Sequence, residues 1–384
     1  MTRLGDFVTI VGGGTPDRSV PEFWDGDIPW ATIKDLNEKK YLTSTQENVS
    51  SLGVAKSATN IVQPGTVIAA TRIGLGKVTI STAEVAINQD LKALYCKPSL
   101  VPHYLYYFLR KSAPAIQAMG KGATVKGITL DDLKGLPIRL PTVGIQQQIA
   151  NALDKADTLR HKDQELLRKY DELTQSIFYK MFGNPMQNEK CWPVRTLDQC
   201  VKGKYGIKAG PFGSALKKEY YVTEGYKIYG QEQVIADDFE IGDYFITAAK
   251  YKDLESCKIE SGDVLISMVG TYGKVSVVPS VFKPGIINPR LVKLSFDRNV
   301  IYPLFFKFLF QLPETKKMLA NFSRGGTMDI INAGILKQLS IPVPPITEQE
   351  VFLRKLEKVS AAKLLLSETP SSTLFQALMT THFA

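Results

Sequence analysis

Short apolar runs alternate along this chain with longer segments in which apolar residues recur every three or four positions. The short runs are rich in β-branched residues and bounded by Gly and Pro, which predicts strands. They lie at 8–11, 66–70, 78–82, 263–269 and 274–278. Aromatic and leucine-rich segments near 103–119 and 302–320 predict helices. The pattern therefore predicts globular regions of the α+β class.

A much longer helix is predicted in the middle of the chain. The 38 residues between Gly144 and Gly183 contain neither proline nor glycine, and at 1.5 Å per residue such a helix is about 57 Å long. Its apolar positions follow a 3-4 spacing, which predicts a seam for a paired helix. The seam consists of Ile149, Leu153, Ala156, Leu167, Tyr170, Ile177 and Met181.

A second long helix is predicted to begin near Glu348 and to carry Phe352, Leu356 and Val359 on the same kind of seam. Pro370 is expected to break it after about 20 residues, or roughly 30 Å. Two such helices are expected to pack on each other in antiparallel orientation. The alternative is that each helix folds back on its own globular region.

The chain contains an internal repeat. Gly65 to Val78 (GTVIAATRIGLGKV) aligns with Gly262 to Val275 (GDVLISMVGTYGKV) at an offset of 197 residues. Residues 101–110 align with 301–310 at an offset of 200, and Pro141 aligns with Pro344 at an offset of 203. Three blocks in the same order at nearly constant offset predict a tandem duplication.

The repeat predicts four segments, in which each globular domain is followed by a helix. The two long helices separate the two domains and lie antiparallel in a coiled-coil-like pair. The segments are 1–141, 142–185, 186–345 and 346–384, the last broken near Pro370.

The positive charge lies in the globular segments. Of the net +9, residues 1–141 carry +4 (16 basic, 12 acidic) and residues 186–345 carry +5 (21 basic, 16 acidic), whereas the two helical segments are neutral. Two basic modules joined by neutral helices predict two contacts on one polyanion, with nucleic acid the first candidate. A pure coiled-coil scaffold is the alternative, for which the salt dependence of DNA binding would be negligible.

The composition excludes several other classes. No apolar run is long enough for a membrane span and the start of the chain lacks a signal core, so we expect a cytoplasmic protein without membrane contact. Four irregularly spaced cysteines and three histidines predict neither a disulfide framework nor a metal site.

Glycine-rich elements stand beside basic residues in both halves, but none completes a phosphate-binding GxxxxGK[ST] loop. No hydrolytic triad or nucleotide-binding turn is indicated, so we expect a non-catalytic chain without a cofactor. The enzymatic alternative is a Mg²⁺-dependent nuclease built from Asp17, Glu38 and Lys40, in the order of a PD...ExK site.

Glycine lets a backbone approach phosphates and base edges closely, so the residues in and around these loops are the candidate DNA contacts. They are Thr15, Arg18, Lys34, Arg72, Lys77, Lys121 and Lys126 in the first domain, and Lys208, Ser214, Lys217, Lys218, Lys250, Lys252, Lys274 and Arg324 in the second.

Taken in order, these motifs resemble the specificity subunits of type I restriction-modification systems. The resemblance is carried by TRIGLGKV (71–78) and SMVGTYGKV (267–275), and by the domain-to-helix junctions LKGLPIRLPTVGIQQQIANALDKAD (133–157) and LKQLSIPVPPITEQEVFLRKLEKVS (336–360). The sequence FYKMFGNP (178–185) is similar to the end of the family's central helix.

The resemblance implies two target recognition domains, each reading one half of a bipartite site in double-stranded DNA. It also implies that the seam of the helix pair is the docking site for two modification subunits, which methylate adenine with S-adenosylmethionine, and that ATP-dependent translocating nuclease subunits bind the complex. If both domains face the same side of the duplex, the half-site centres lie about 10 bp apart. The specificity subunit of a related fused restriction enzyme is an equally compatible interpretation, and the early break at Pro370 implies an asymmetric spacer.

Overall fold

The computed structural model describes residues 2–37, 39–122, 125–268, 273–322, 332–367 and 371–383. The chain divides into two compact units: unit 1 is Met1–Leu166 with Glu368–Ala384, and unit 2 is Leu167–Ser367. Glu38 of the nuclease alternative, the candidate Arg324 and the expected break at Pro370 lie outside the described residues.

Unit 1 consists mainly of short strands, which pair into sheets around a buried core. Its strands are β1 (Thr2–Arg3), β2 (Val8–Gly12), β3 (Ile28–Ala31), β4 (Tyr41–Leu42), β5 (Glu47–Val49), β6 (Asn60–Val62), β7 (Val67–Ala70), β8 (Val78–Ser81), β9 (Val85–Ile87), β10 (Leu91–Cys96) and β11 (Pro137–Ile138). The helices before the junction are α1 (Ser51–Ala55), α2 (Pro102–Met119) and α3 (Leu130–Lys134).

The strands of unit 1 form one sheet in the order β2-β10-β7-β8-β4, a second in the order β5-β3-β9-β6, and a β1-β11 pair. Both main sheets are antiparallel except for the pairs β3-β9 and β4-β8. Strands β7, β8 and β9 are buried along their whole length, which explains their continuous apolar runs. Helix α2 packs its aromatic face, including Tyr104 and Tyr107, into the same core.

Helix α4 (Val143–Phe182) is the predicted central helix, and it runs for 40 residues. Its first part packs in unit 1, where Leu153 and Ala156 join the core. Its last part packs in unit 2, where Phe178 and Phe182 do the same. Helix α4 ends where Gly183 adopts a positive φ of 75°, the left-handed conformation that terminates helices.

Unit 2 repeats the strand pattern in shorter form. After α4 come β12 (Val194–Thr196), β13 (Ile207–Ala209), β14 (Tyr226–Tyr229), β15 (Phe245–Ile246), β16 (Val264–Ser267), β17 (Val275–Val277), β18 (Gly285–Ile287), β19 (Leu291–Leu294) and β20 (Ser340–Pro342). Its helices are α5 (Gln231–Ala236), α6 (Ala248–Asp253), α7 (Pro303–Gln311), α8 (Pro313–Phe322), α9 (Ala333–Gln338) and α10 (Ile346–Ser367).

The strand order of unit 2 matches that of unit 1, except that β4 and β6 of unit 1 have no counterpart among the described strands of unit 2. The order β13-β19-β16-β17 corresponds to β2-β10-β7-β8, the order β15-β14-β18 corresponds to β5-β3-β9, and β12-β20 corresponds to β1-β11. The parallel pair β3-β9 recurs as the parallel pair β14-β18. The duplication predicted from the sequence is thus present in the fold, and so is the α+β class.

One expected helix is divided. The segment 302–320 forms α7 and α8, because Leu312 is extended and Pro313 starts a new helix as its first residue. The corresponding segment in unit 1 remains one helix, α2, with Pro114 inside it.

In unit 2 the two long helices run antiparallel. Phe352 of α10 packs against Phe178 and Phe182 of α4, with ring centroids 5.6 and 5.5 Å away. Further along α10, Lys363 binds Asp171, which precedes Phe178 in the chain, with Nζ to Oδ1 at 2.6 Å. The described part of α10 ends at Ser367.

Helix α11 (Ser371–Phe383) belongs to unit 1 and covers α2. The Phe383 ring lies 4.9 Å from Tyr104. In unit 2, Phe305 corresponds to Tyr104 and Phe182 corresponds to Phe383, each at an offset of 201 residues, and their rings lie 5.1 Å apart. Helix α11 therefore occupies in unit 1 the place that the end of α4 occupies in unit 2. Within the described ranges, no helix is long and apolar enough to cross a membrane.

Candidate nucleic-acid interface

In unit 1 the candidate loops meet at one edge of the sheets. Gly12 at the end of β2 faces Lys92, and Ala70 at the end of β7 faces Leu91, both at the start of β10. Ala31 at the end of β3 faces Ile87 at the end of β9. The loops that follow these strand ends, together with the 88–90 turn, therefore emerge on the same side.

Backbone contacts hold two of these loops together. Arg72 and Lys121 each form an antiparallel bridge with Gly127, and the Ile73 amide donates to the carbonyl of Lys126 at 3.2 Å. The side chains of Arg72, Lys121 and Lys126 are exposed, as is that of Lys77. The structure thus brings together four of the seven predicted residues of the first domain.

The remaining three lie on the neighbouring loops and are exposed as well. The Thr15 hydroxyl hydrogen-bonds Gln89 of the 88–90 turn. Lys34 follows β3 and, like Arg18, lowers the pKa of Glu47 by its charge. The first-domain set is therefore a single exposed basic edge.

Two arginines on this edge are already paired within the chain. The Arg18 guanidinium donates to both Glu47 carboxylate oxygens, at 2.5 and 2.9 Å, and lies 3.6 Å above the Trp24 ring. Its hydrogen bond is the main cause of the lowered pKa of Glu47. Arg72 Nη1 lies 3.6 Å from Asp90. Either guanidinium must release or share its carboxylate to contact DNA.

Unit 2 presents the equivalent edge. Ala209 faces Val292, Ser267 faces Leu291, and Tyr229 faces Ile287. The Met268 amide donates to the Arg290 carbonyl at 3.0 Å. In unit 1 the Thr71 amide donates to the Asp90 carbonyl at 2.9 Å in the corresponding place.

A close backbone crossing at this edge explains a glycine in each copy. A Cβ at Gly13 would lie 2.1 Å from the Ile87 carbonyl oxygen, and one at Gly210 would lie 1.9 Å from that of Asn288. These distances are shorter than any van der Waals contact, so only glycine lets the loop pass over the turn.

Of the second-domain candidates, Ser214, Lys217, Lys218 and Lys274 are exposed on the segments that follow the ends of β13 and β16. Lys217 lies 3.6 Å from Glu219. Lys208 is half-buried within β13, and its Nζ lies 5.5 Å from the centre of the Tyr205 ring.

Lys250 and Lys252 lie apart from Lys274, although Lys250 contacts Tyr220, two residues after Lys218. Both lie on α6, which follows β15, and β15 runs antiparallel to β14, so its end pairs with the start of β14. The Lys250 ammonium lies 4.3 Å above the Tyr220 ring. The structure therefore places these two lysines at the opposite end of β14 from Lys274.

Several polar and aromatic residues at the unit 2 edge were missed by sequence reasoning. Gln231, Asn288 and Arg290 line a cleft of about 640 Å³ together with Lys218. The Gln231 amide donates to the Ser267 hydroxyl at 2.6 Å. The repeat offered a signal, since an offset of 200 residues aligns Asn88 with Asn288 and the acidic Asp90 with the basic Arg290.

Phe212 is a further missed residue. It is 72% exposed in the loop after β13 and occupies the position that aligns with Thr15 in the first copy. An exposed aromatic ring among basic residues suits stacking or apolar contact with a base.

The lysine of the nuclease alternative has a structural partner. Lys40 binds Asp154 of α4, and its Nζ lies 3.2 Å from His103 Nδ1. The Tyr107 hydroxyl donates to the same carboxylate at 2.5 Å. Burial lowers the pKa of Lys40, and Asp154 offsets part of this effect. The Asp17 carboxylate accepts hydrogen bonds from the Ser19 amide and hydroxyl. Lys40 and Asp17 therefore each have a hydrogen-bonding partner within unit 1.

Residues of the predicted helix seam pack against other parts of the same chain. Ile149, Leu153 and Ala156 are buried in unit 1, and Phe352 and Val359 are buried in unit 2. The other seam positions are half-buried: Leu167, Tyr170, Ile177, Met181 and Leu356. A different row, Leu159, Leu166 and Leu173, is exposed on α4 at seven-residue intervals.

The duplicated architecture and its basic edges can now be compared with known proteins. The chain matches the family described as type I restriction modification DNA specificity domain twice, over residues 1–175 and 168–372. This chain belongs to that family. The first match covers the first globular copy and most of α4, and the second begins within α4 and covers the second globular copy and α10.

Curated relatives carry the same family description in their names. The chain is 28% identical over 230 residues to the type I restriction enzyme MjaIX specificity subunit of Methanocaldococcus jannaschii, covering 54% of this chain and 52% of that protein. It is 28% identical over 182 residues to the EcoR124I/EcoR124II specificity subunit of Escherichia coli, covering 46% and 45%. The chain thus spans about half the length of these two relatives. The match to the MjaVIII specificity subunit of M. jannaschii is 20% identical and covers 94% of this chain and 85% of that protein.

A solved structure shares the fold. The S subunit of a type I restriction-modification system from M. genitalium superposes with a TM-score of 0.57 and 17% identity, covering 98% of this chain and 94% of that one. The likeness therefore extends over both copies of the repeat.

Proposed function

We propose that this chain is the DNA specificity subunit of a type I restriction-modification complex. Each unit reads one half of a bipartite target in double-stranded DNA. The observation that carries this proposal is the duplicated loop edge, where exposed basic side chains gather beside a glycine-enforced backbone crossing in both units. Two copies of one reading surface suit a target in two parts.

The chemistry that modifies or cleaves DNA belongs to partner subunits under this proposal. Two modification subunits and the restriction subunits would assemble around the chain. Because the predicted seam is buried or half-buried, the exposed leucines of α4 (Leu159, Leu166 and Leu173) are the better candidates for a docking contact. The domain limits 1–141 and 186–345 remain our proposal for the recognition domains.

Selection from a random double-stranded DNA pool with the purified full chain tests the proposal. We expect an enriched motif with two specified blocks separated by unspecified base pairs. Arg290→Ala should relax one position in a single block, at a cost of about 1–3 kcal/mol, because an arginine can read guanine in the major groove.

Arg195→Ala is the matched control. Arg195 is an exposed arginine on β12, away from the loop edge, and its loss should leave the motif unchanged. A pool that yields no motif, or a single uninterrupted motif, would contradict the proposed function.

A further inference from the structure

A buried glutamine occupies the same place in both copies of the repeat. Gln146 is the fourth residue of α4 and Gln349 is the fourth residue of α10, and both side chains are 0% exposed. Burying an amide is unfavourable unless its donors and acceptor are satisfied. The contacts of each glutamine therefore have to be accounted for.

In unit 1, Gln146 joins three segments of chain. Its Oε1 accepts from the Val101 amide at 2.8 Å, and Val101 is the N-cap of α2. Its Nε2 donates to the carbonyls of Ser99 and Pro141, each at 2.8 Å. One side chain thus ties the start of α4 to the segment that leads into α2 and to the junction that follows β11.

In unit 2, Gln349 makes the same three hydrogen bonds. Its Oε1 accepts from the Tyr302 amide at 2.9 Å, and Tyr302 is the N-cap of α7. Its Nε2 donates to the Val300 carbonyl at 3.0 Å and to the Pro344 carbonyl at 2.8 Å. Val101 and Ser99 correspond to Tyr302 and Val300 at an offset of 201 residues, one more than the offset of 200 expected for this block from the sequence. Pro141 and Gln146 correspond to Pro344 and Gln349 at an offset of 203 residues.

The surrounding sequence differs between the copies. Ile145 and Gln147 stand beside Gln146, whereas Glu348 and Glu350 stand beside Gln349. The cap of the packing helix is a valine in one copy and a tyrosine in the other. The amide and the backbone groups that it binds are common to both, so the shared feature is the geometry of the joint between domain and helix.

We infer that Gln146 and Gln349 are positioning residues for DNA recognition, each holding its domain in one orientation on the start of its long helix. This inference rests on the proposed function. Adding one base pair between two half-sites turns one of them by about 34–36° around the duplex, since B-DNA has 10–10.5 bp per turn. A rigid joint makes that rotation costly, whereas a loose joint absorbs it.

The test compares Gln146→Met and Gln349→Met with the control Gln147→Met in the full chain. Methionine has a similar volume and cannot replace the amide hydrogen bonds, and Gln147 is an exposed neighbour on the same helix. The probes are the DNA target selected by the unmodified chain and two versions with one base pair added or removed between the blocks. Hydrogen exchange at the Val101 and Tyr302 amides reports the joints independently of DNA.

We expect faster exchange at the amide that each variant releases. The affinity ratio between the correct and altered spacers should fall about tenfold, equivalent to one net hydrogen bond, with little loss on the correct spacer. Gln147→Met should change neither quantity.

A uniform loss of affinity on all three spacers would assign the glutamines a purely structural role and overturn the inference. Faster exchange at the Val101 or Tyr302 amide, with an unchanged affinity ratio between the spacers, would also overturn the inference. If one of the two methionine variants does not fold, a leucine substitution at the other glutamine gives the same comparison. Failure of the unmodified chain to select a two-block target would overturn the proposed function itself, which separates the two results.

Discussion

At the scale of single residues, the sequence was a good guide to which basic side chains are exposed. It was a poor guide to the carboxylates with which they form ion pairs. Arg72, Lys77, Lys121 and Lys126 were inferred from glycine-rich loops and lie on one edge. The carboxylates that hold Arg18 and Arg72 come from other strands and turns, Glu47 and Asp90. Local spacing carries no signal for such pairs, because sheet pairing alone brings them together.

The same limit applies to Lys40. Its position after Glu38 suggested a nuclease motif, whereas its partner Asp154 lies 114 residues away on α4. Burial raises the pKa of Asp154, but hydrogen bonds from His103, Lys40 and Tyr107 outweigh burial and lower that pKa to about 2. Asp154 is therefore more acidic in the folded chain than its ordinary value of 3.8.

The lowered pKa of Asp154 predicts an acid-dependent loss of stability. A carboxyl with a depressed folded-state pKa contributes stability that is complete above its unfolded pKa and is lost as the pH falls through its folded pKa. The window here is about pH 4 to pH 2, and the contribution is about 1–2 kcal/mol after allowing for the partly exposed side chain. Denaturant unfolding as a function of pH measures it.

Asp154→Asn should lower the free energy of unfolding at neutral pH and flatten its pH dependence within that window. Asp25→Asn, which changes an exposed carboxyl elsewhere in unit 1, is the control. An Asp154→Asn chain that keeps the full acid dependence would assign it to other carboxyls.

At the scale of elements, helix predictions rested on local signals and were the more accurate. The 38-residue gap between Gly144 and Gly183 placed α4 within two residues of its bounds, Val143–Phe182. The 302–320 segment was taken as one helix because its aromatic pattern continues past Pro313, where the structure divides it. Strand partners such as the parallel pair β3-β9 are far apart in sequence, so strand patterns alone did not predict them.

The antiparallel packing of α10 on α4 predicts a sharp contrast between two apolar positions of α10. Phe352 is 0% exposed among Phe178, Phe182 and Phe308, whereas Leu365 is 69% exposed. Phe352→Ala should destabilise the chain by about 3–5 kcal/mol, because it leaves a cavity in the core. Leu365→Ala should change stability by about 0.5 kcal/mol or less.

Chemical denaturation followed by circular dichroism measures both variants. Similar effects at Phe352 and Leu365 would contradict the packing of α10 against the end of α4.

At the scale of the whole molecule, the repeat was the most informative feature of the sequence. It predicted one structural unit used twice, and the fold has two units with the same strand order. The charge follows the same division, with +4 and +5 on the globular segments and none on the helices. Lysines on the loop edges should consequently contribute to DNA binding, whereas lysines on the helix faces should not.

Phosphate contacts release counterions, so the logarithm of affinity falls with the logarithm of salt concentration at a slope of about −0.9 per neutralised phosphate. Replacing Lys77 and Lys126 by glutamine should reduce the steepness of this slope by about 2, and replacing Lys217 and Lys274 should do the same. Lys155 and Lys162 are exposed on the neutral helix α4, and their replacement should leave the slope unchanged. Fluorescence anisotropy over a salt series measures all three double variants. An equal reduction for the helix pair would show that charge anywhere on the chain suffices, and the two basic edges would lose their role as the DNA-contacting surfaces.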